Sequence, residues 1–174
     1  ILSKNSTLTC TNGKKDPVNF KSCVARIGNQ FYETFARAVA DANTAEEDAK
    51  IEFFSDITIG GDTPSSETGN VTITNANDVE ITIDGHGHTV NTKAKHSISI
   101  RRSGTVNLQN MDIIHTGHQS ALQVGKSDSI DDAINATVNV TNVDFTVNNT
   151  SDGNIALHGL ILIPNRGNTT LQFV

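Results

Sequence analysis

Tryptophan is absent, tyrosine occurs once, and aromatic residues make up 5% of the chain. Large rings dominate most cores, so the filling here has to come from aliphatic side chains in a thin interior. Positive charge is also scarce: 13 Lys and Arg face 19 Asp and Glu, a formal net charge of −6 over 174 residues. That balance argues against a nucleic-acid duplex as partner, because binding one needs a basic face. No run approaches the roughly 18 apolar residues of a membrane span. The only cysteines, Cys10 and Cys23, flank a Gly/Lys/Asp-rich loop and have no metal-like spacing. A disulfide between them would contribute up to ~3 kcal/mol and implies an oxidising, extracellular setting; two buried free thiols are the alternative. The chain has no signal peptide and no initiator Met, and it stops at Val174 in the middle of a repeat. It reads as a piece of a longer protein.

What the chain does contain is a repeat. Thr105-Val106-Asn107-Leu108-Gln109-Asn110-Met111-Asp112-Ile113 is followed by Thr137-Val138-Asn139-Val140-Thr141-Asn142-Val143-Asp144-Phe145, and Thr170-Leu171-Gln172-Phe173-Val174 opens a third copy. Glu80-Ile81-Thr82-Ile83-Asp84-Gly85 fits the same template one repeat earlier. A second series keeps step with the first: Ile98-Ser99-Ile100, Leu122-Gln123-Val124 and Ile155-Ala156-Leu157. Short strands of period 2 recurring every roughly 20–50 residues are the mark of a solenoid, whose turns cannot bury an apolar side alone and must stack. The expected architecture is all-β, a short parallel β-helix. Asn110 and Asn142 occupy one point of successive coils, with Gly85 at that point one coil earlier. A bend that needs a left-handed backbone selects Asn or Gly.

The chain divides into three regions. Residues 1–23 are an N-terminal arm. Residues 24–50 hold a hairpin around Gly28-Asn29 and a helix starting after Thr34 as N-cap, with Phe35, Ala36, Val39 and Ala40 on its apolar face. Thr44-Ala45-Glu46-Glu47 has capping-box spacing for a further turn. Residues 51–174 are the coils, read as truncated at the C-terminus. The helix covers the open end of the stack, whose strand edges would otherwise recruit other chains. Loops over 60–69 and 126–133 leave the coils, and such loops carry recognition surfaces.

Val24-Ala25-Arg26-Ile27-Gly28-Asn29-Gln30-Phe31-Tyr32-Glu33-Thr34-Phe35-Ala36-Arg37-Ala38-Val39 resembles the lead-in of many surface proteins of Gram-positive gut and oral bacteria, and Ile57-Thr58-Ile59 matches the next short segment of those proteins. Ile81-Thr82-Ile83-Asp84-Gly85-His86-Gly87-His88-Thr89-Val90 is similar to the coil that opens pectin-lyase-like β-helices. The resemblance covers about residues 24–174. It implies a right-handed β-helix with an N-terminal hairpin and capping helix. It leaves function open, because lyases, hydrolases, adhesins and phage spikes share that fold.

The candidate chemistry is incomplete at each place. Gly85-His86-Gly87 and Asp131-Asp132 resemble parts of a polygalacturonase site, but in reversed order and without its other motifs. Inverting hydrolysis needs two carboxylates about 6.5–9.5 Å apart across a cleft, and adjacent aspartates do not supply that. Asp112 and Asp144 align on successive coils as weak calcium candidates, short of the about 6–8 oxygens calcium takes. His86, His88, His115 and His118 show no second shell that would fix them as zinc ligands. No catalytic residue and no cofactor are expected. The reading is a non-enzymatic adhesion or ligand-binding module of an extracellular, cell-surface or cell-wall protein. Its partner would be a glycan or a host surface protein, contacted through His96, Arg101, Arg102, His118, Gln123, Lys126 and Asp128, with self-association through the C-terminal coil edge. The alternatives are a fragment of a polysaccharide lyase or glycoside hydrolase with its site in missing coils, and a self-assembling stalk.

Overall fold

A computed structural model describes residues 23–60, 71–117, 119–125, 133–148, 160–165 and 167–174. These residues form a mostly β structure with one helix and two sheets of mainly parallel strands. The larger sheet is built on three 12-residue strands: β6 (Ile81–Thr92), β8 (Gly104–His115) and β10 (Ala136–Val147). They pair in parallel, β3 (Ala49–Phe53) and β4 (Ile57–Ile59) add to β6, and β12 (Thr169–Phe173) adds to β10. The smaller sheet stacks β5 (Val71–Ile73), β7 (Ile98–Ile100), β9 (Leu122–Val124) and β11 (Ile161–Leu162) in the same sense.

Period-2 alternation in the sequence becomes columns in the stack. Ala49, Ile81, Val106, Val138 and Leu171 stand in one column; Ile51, Ile83, Leu108, Val140 and Phe173 stand in the next. Ile57, Val90, Ile113 and Phe145 form a third, and Val71, Ile98, Leu122 and Ile161 a fourth. Away from the β12 end these side chains are almost all fully buried. Burying a Val, Leu or Ile stabilises by about 1.5–3 kcal/mol, so each column does much of the work that rings do elsewhere.

Each long strand bends once, and the bend residue has a left-handed backbone: His86 (φ 49), Asn110 (φ 54) and Asn142 (φ 52). The expectation that Gly85 holds this point in β6 is therefore corrected. Two extra residues enter between the Asp84–Gln109 and His88–Met111 pairs, so the bend falls on His86. Gly85 serves close approach instead: a Cβ there would collide with the Met111 Cβ and the Asn110 carbonyl.

At the N-terminal end, β1 (Ala25–Ile27) and β2 (Gln30–Tyr32) form the expected two-residue hairpin, and β1 continues the sheet antiparallel to β3. Thr34 caps α1 (Phe35–Ala42), its hydroxyl accepting from the Arg37 N–H at 3.3 Å. The buried face is Phe35, Ala38, Val39 and Ala42, while Ala36 and Ala40 are exposed. Phe35 and Val39 lie on the apolar face as expected, but Ala38 and Ala42 complete the i, i+3, i+4, i+7 stripe in place of Ala36 and Ala40, and Phe35 points edge-on at Phe53, centroids 4.9 Å apart. No helical turn starts at Thr44; its hydroxyl donates to the Asp41 carbonyl at 3.0 Å and finishes α1 instead.

After α1, side-chain amides stand in for a strand at the edge of β5. Asn43 donates to the Thr72 carbonyl (2.9 Å) and accepts from the Thr74 N–H (2.8 Å). Asn75, 1% exposed, donates to the Ala42 and Ala45 carbonyls at 2.7 and 3.0 Å. Edge groups that would otherwise recruit a neighbour are thereby satisfied. At the other end Phe173, on the outermost strand, is 57% exposed, and Val174 just beyond it is 85% exposed.

One strand expectation changes. Leu122 pairs with Ile161, so β11, not Ile155-Ala156-Leu157, takes the place beside β9; residues 155–157 lie outside the described residues. The loops 61–69 and 126–132 and the arm 1–22 lie outside them as well.

Candidate functional site

Outward-facing side chains on the larger sheet also fall into rows, and these rows are polar. One row runs Phe31, Arg26, Glu52, Asp84, Gln109, Thr141 across six neighbouring strands. Its centre is tightly bonded. Glu52 accepts from Arg26 Nε at 2.7 Å, and its other oxygen lies 3.1 Å from His86 Nε2. Asp84, 3% exposed, takes Lys50 Nζ (2.9 Å) and Gln109 Nε2 (2.8 Å) on one oxygen. Asn110 Nδ2 and the His86 N–H, each at 3.1 Å, occupy the other. Burial alone would raise the Asp84 pKa, but Lys50, the two amides and the N–H outweigh it and hold the carboxyl well below its usual range. Arg26 holds Glu52 low, and the Thr89 N–H does the same for Asp56. The hydrogen bond to Asp84 pushes Lys50 up.

Further along the stack the face becomes uncharged. Thr105, Thr137 and Thr170 share one column; Asn107, Asn139 and Gln172 share the next. Asn139 Nδ2 donates to Asn107 Oδ1 at 2.8 Å, and Asn107 Nδ2 donates to Glu80 Oε1 (2.7 Å) and Thr82 Oγ1 (3.1 Å). At the bend, Asn142 donates to Asn110 at 3.1 Å. These amide ladders lock the side chains into a fixed array.

Of the residues expected to bind a ligand, the described ones are buried or half-buried. His96 is 2% exposed, with Nδ1 2.9 Å from Ser120 Oγ. Arg102 is 3% exposed, donating to the Ser103 and Asn77 carbonyls at 2.7 and 2.9 Å. Gln123 is 7% exposed and accepts from Ser99 Oγ at 3.1 Å. Arg101 is half-buried. His118, Lys126 and Asp128, like Asp131 and Asp132, lie outside the described residues. Asp112 and Asp144 stand in register on adjacent strands, both exposed. His86 and His88 lie against Glu52 and Asp56, while His115 is buried. Among the described residues no three His, Cys, Asp or Glu side chains are grouped to hold a metal.

The family model of a "putative pectate lyase-like adhesive domain" matches residues 26–151, well over half of the chain. The chain belongs to this family. A search of curated proteins finds no match, and neither does a search of solved structures. The matched span of the adhesive domain starts within the N-terminal hairpin and includes all three long strands.

The carboxylates and the lysine of the adhesive domain's polar face are held in their charged forms. Glycosidic cleavage requires a carboxyl with raised pKa as general acid, and Asp84, Glu52 and Asp56 are all shifted the other way. Proton abstraction by Lys50 would need a lowered pKa, and Lys50 is raised. Sequence reasoning used the Thr-x-Asn and Thr-x-Gln repeats only for their apolar members. The same alternation contained the signal for the outer face: Thr105/Asn107, Thr137/Asn139 and Thr170/Gln172 recur at identical offsets from the core residues.

Proposed function

We propose that this chain is a non-catalytic ligand-holding module of a secreted or cell-surface protein, built as a right-handed parallel β-helix, and that it works by adhesion. The observation that carries the reading is the outer face of the long strands. It is a rigid, hydrogen-bonded polar surface whose carboxylates are tied down in ion pairs and amide contacts. Membership of a family described as adhesive supports it. The parallel pairing of successive strands supports the right hand, since parallel crossovers are almost always right-handed.

Beads coated with the domain are expected to adhere to immobilised glycan or host-surface ligands. The same protein should release no reducing ends and no unsaturated products from pectin or polygalacturonate, with or without calcium. Turnover abolished by His86→Ala or Asp132→Ala would replace this reading with that of a polysaccharide-cleaving enzyme.

Extracellular placement rests on the Cys10–Cys23 disulfide. Cys23 is 6% exposed, and Cys10 lies outside the described residues. Mass spectrometry of the unreduced protein should show the mass of one disulfide; two alkylatable thiols would remove this argument.

A further inference from the structure

We propose that the ligand of this module is an uncharged, hydroxyl-rich polysaccharide chain, lying across β8, β10 and β12 on the Thr/Asn/Gln columns. The inference rests on the adhesive reading and adds the chemistry of what is held. Its first support is charge. Six outward positions on these strands, Thr105, Thr137 and Thr170 with Asn107, Asn139 and Gln172, carry no ionisable group. Gln109 and Thr141 extend the array, also uncharged. The exposed acids that border it on the same sheet are Glu80, Asp112 and Asp144, whereas Asp84 is buried and paired with Lys50. A polyuronate or other anionic chain would meet repulsion there with no cation on the array to offset it.

Side-chain chemistry narrows the partner further. The array has no aromatic and no aliphatic side chain to anchor a protein partner, whose contact centres are rich in Tyr, Trp, Phe and Arg. It has hydroxyls and amides. The Thr105, Thr137, Thr141 and Thr170 hydroxyls make no hydrogen bond to a described residue, and each can both donate and accept. The threonine hydroxyls and the exposed Gln172 amide supply both donors and acceptors for vicinal sugar hydroxyls, while the Asn107 and Asn139 amides, bonded to Glu80, Thr82 and one another, hold the face in place.

Spacing gives independent support. Columns repeat at the strand separation, ~4.8 Å, which is close to the length of one hexose unit in an extended chain. A glycan running along the stack would place successive sugars over successive strands and repeat one set of contacts. Ordering costs are low, because threonine is stiff about χ1 and the amides are already held by one another.

The test is isothermal titration of the whole 174-residue chain with three soluble polymers: a neutral β-glucan, a neutral galactomannan and polygalacturonate. At least one neutral polymer should bind, with an affinity unchanged between low and high salt. The Thr105→Val, Thr137→Val, Thr170→Val triple variant keeps the branched shape that strands favour and should keep its melting temperature while losing at least tenfold in affinity. Should the triple variant fail to fold, Thr170→Val alone, on an exposed strand, should lose affinity by a smaller factor. Binding of polygalacturonate alone, weakening as salt rises, would overturn the neutral-glycan assignment while leaving adhesion standing. Neutral-polymer binding unaffected by either folded variant would overturn the site. Adhesion of coated beads with no affinity for any of the three polymers would overturn the ligand class.

Discussion

Lowering the pH from 6.5 towards 4 is expected to remove most of the stability of this domain. His96 and His115 are buried, at 2% and 0% exposure. Each has Nδ1 against a buried serine hydroxyl, Ser120 at 2.9 Å and Ser97 at 3.0 Å, and His115 Nε2 is buried with no partner among the described residues. Burial pushes both rings down from 6.5 to about 4. The charged groups acting on His96 are Lys95, His115 and Arg101, which oppose a further proton; the Ser120 backbone contact works weakly the other way, as does that of Gln119 on His115.

A base whose folded pKa is lowered binds fewer protons in the native state. Its contribution is therefore complete above the unfolded pKa and is lost as pH falls from there to the folded pKa. For each ring the loss is ~3 kcal/mol. The two together approach the whole stability of a typical domain. Asp84 and Glu52, held low, add to the loss as pH falls through their ordinary values of 3.8 and 4.5. Thermal melts across this range should show a steep fall in Tm. His115→Gln should cut the pH dependence by roughly half, and His96→Gln serves if that variant does not fold. A Tm that stays level from pH 7 to 4.5 would refute the account.

Val138→Asp is expected to unfold the domain at ambient temperature. Val138 is 0% exposed, between Val106 and Leu171 in a column of five stacked residues. An aspartate there is a buried charge with no partner, and the loss should exceed ~4 kcal/mol. The neighbouring Thr137→Asp points outward and should cost less than ~1 kcal/mol. The contrast between adjacent positions tests the inside-outside register directly, by circular dichroism and urea titration. Equal melting of Val138→Asp and the parent would mean that the register is shifted by one.

The stacking of β6, β8, β10 and β12 was legible because each strand carries its own alternation. Ile81/Ile83, Val106/Leu108, Val138/Val140 and Leu171/Phe173 mark the inner face locally, and copies of one template must pair in register. The hairpin at Gly28-Asn29 and the Thr34 cap were legible for the same reason, being decided within a few residues. β5 was missed: Val71–Ile73 is as short as β7 and β9, but unlike them it does not follow a long strand of the repeat template that would mark its place. On α1, Phe35 and Val39 were placed correctly, but Ala36 and Ala40 were taken for the buried alanines in place of Ala38 and Ala42, because alanines fit more than one stripe.

The polar residues separate the two sources of information most clearly. Composition and repeat determined a thin aliphatic core, parallel strands and left-handed bends at Asn110 and Asn142, because periodicity and backbone preference are local properties. Polarity alone suggested an exposed role for His96, Arg102 and Gln123, yet each is buried. Tertiary structure decided that, by bringing Ser120, Asn77 and Ser99 from other turns of the chain within hydrogen-bonding distance. It also decided that Asp84 is a buried, fully bonded carboxylate and that the Thr and Asn columns form one continuous outer face. Burial of a polar group depends on partners 24 or 25 residues away in these cases, and no local pattern encodes such partners.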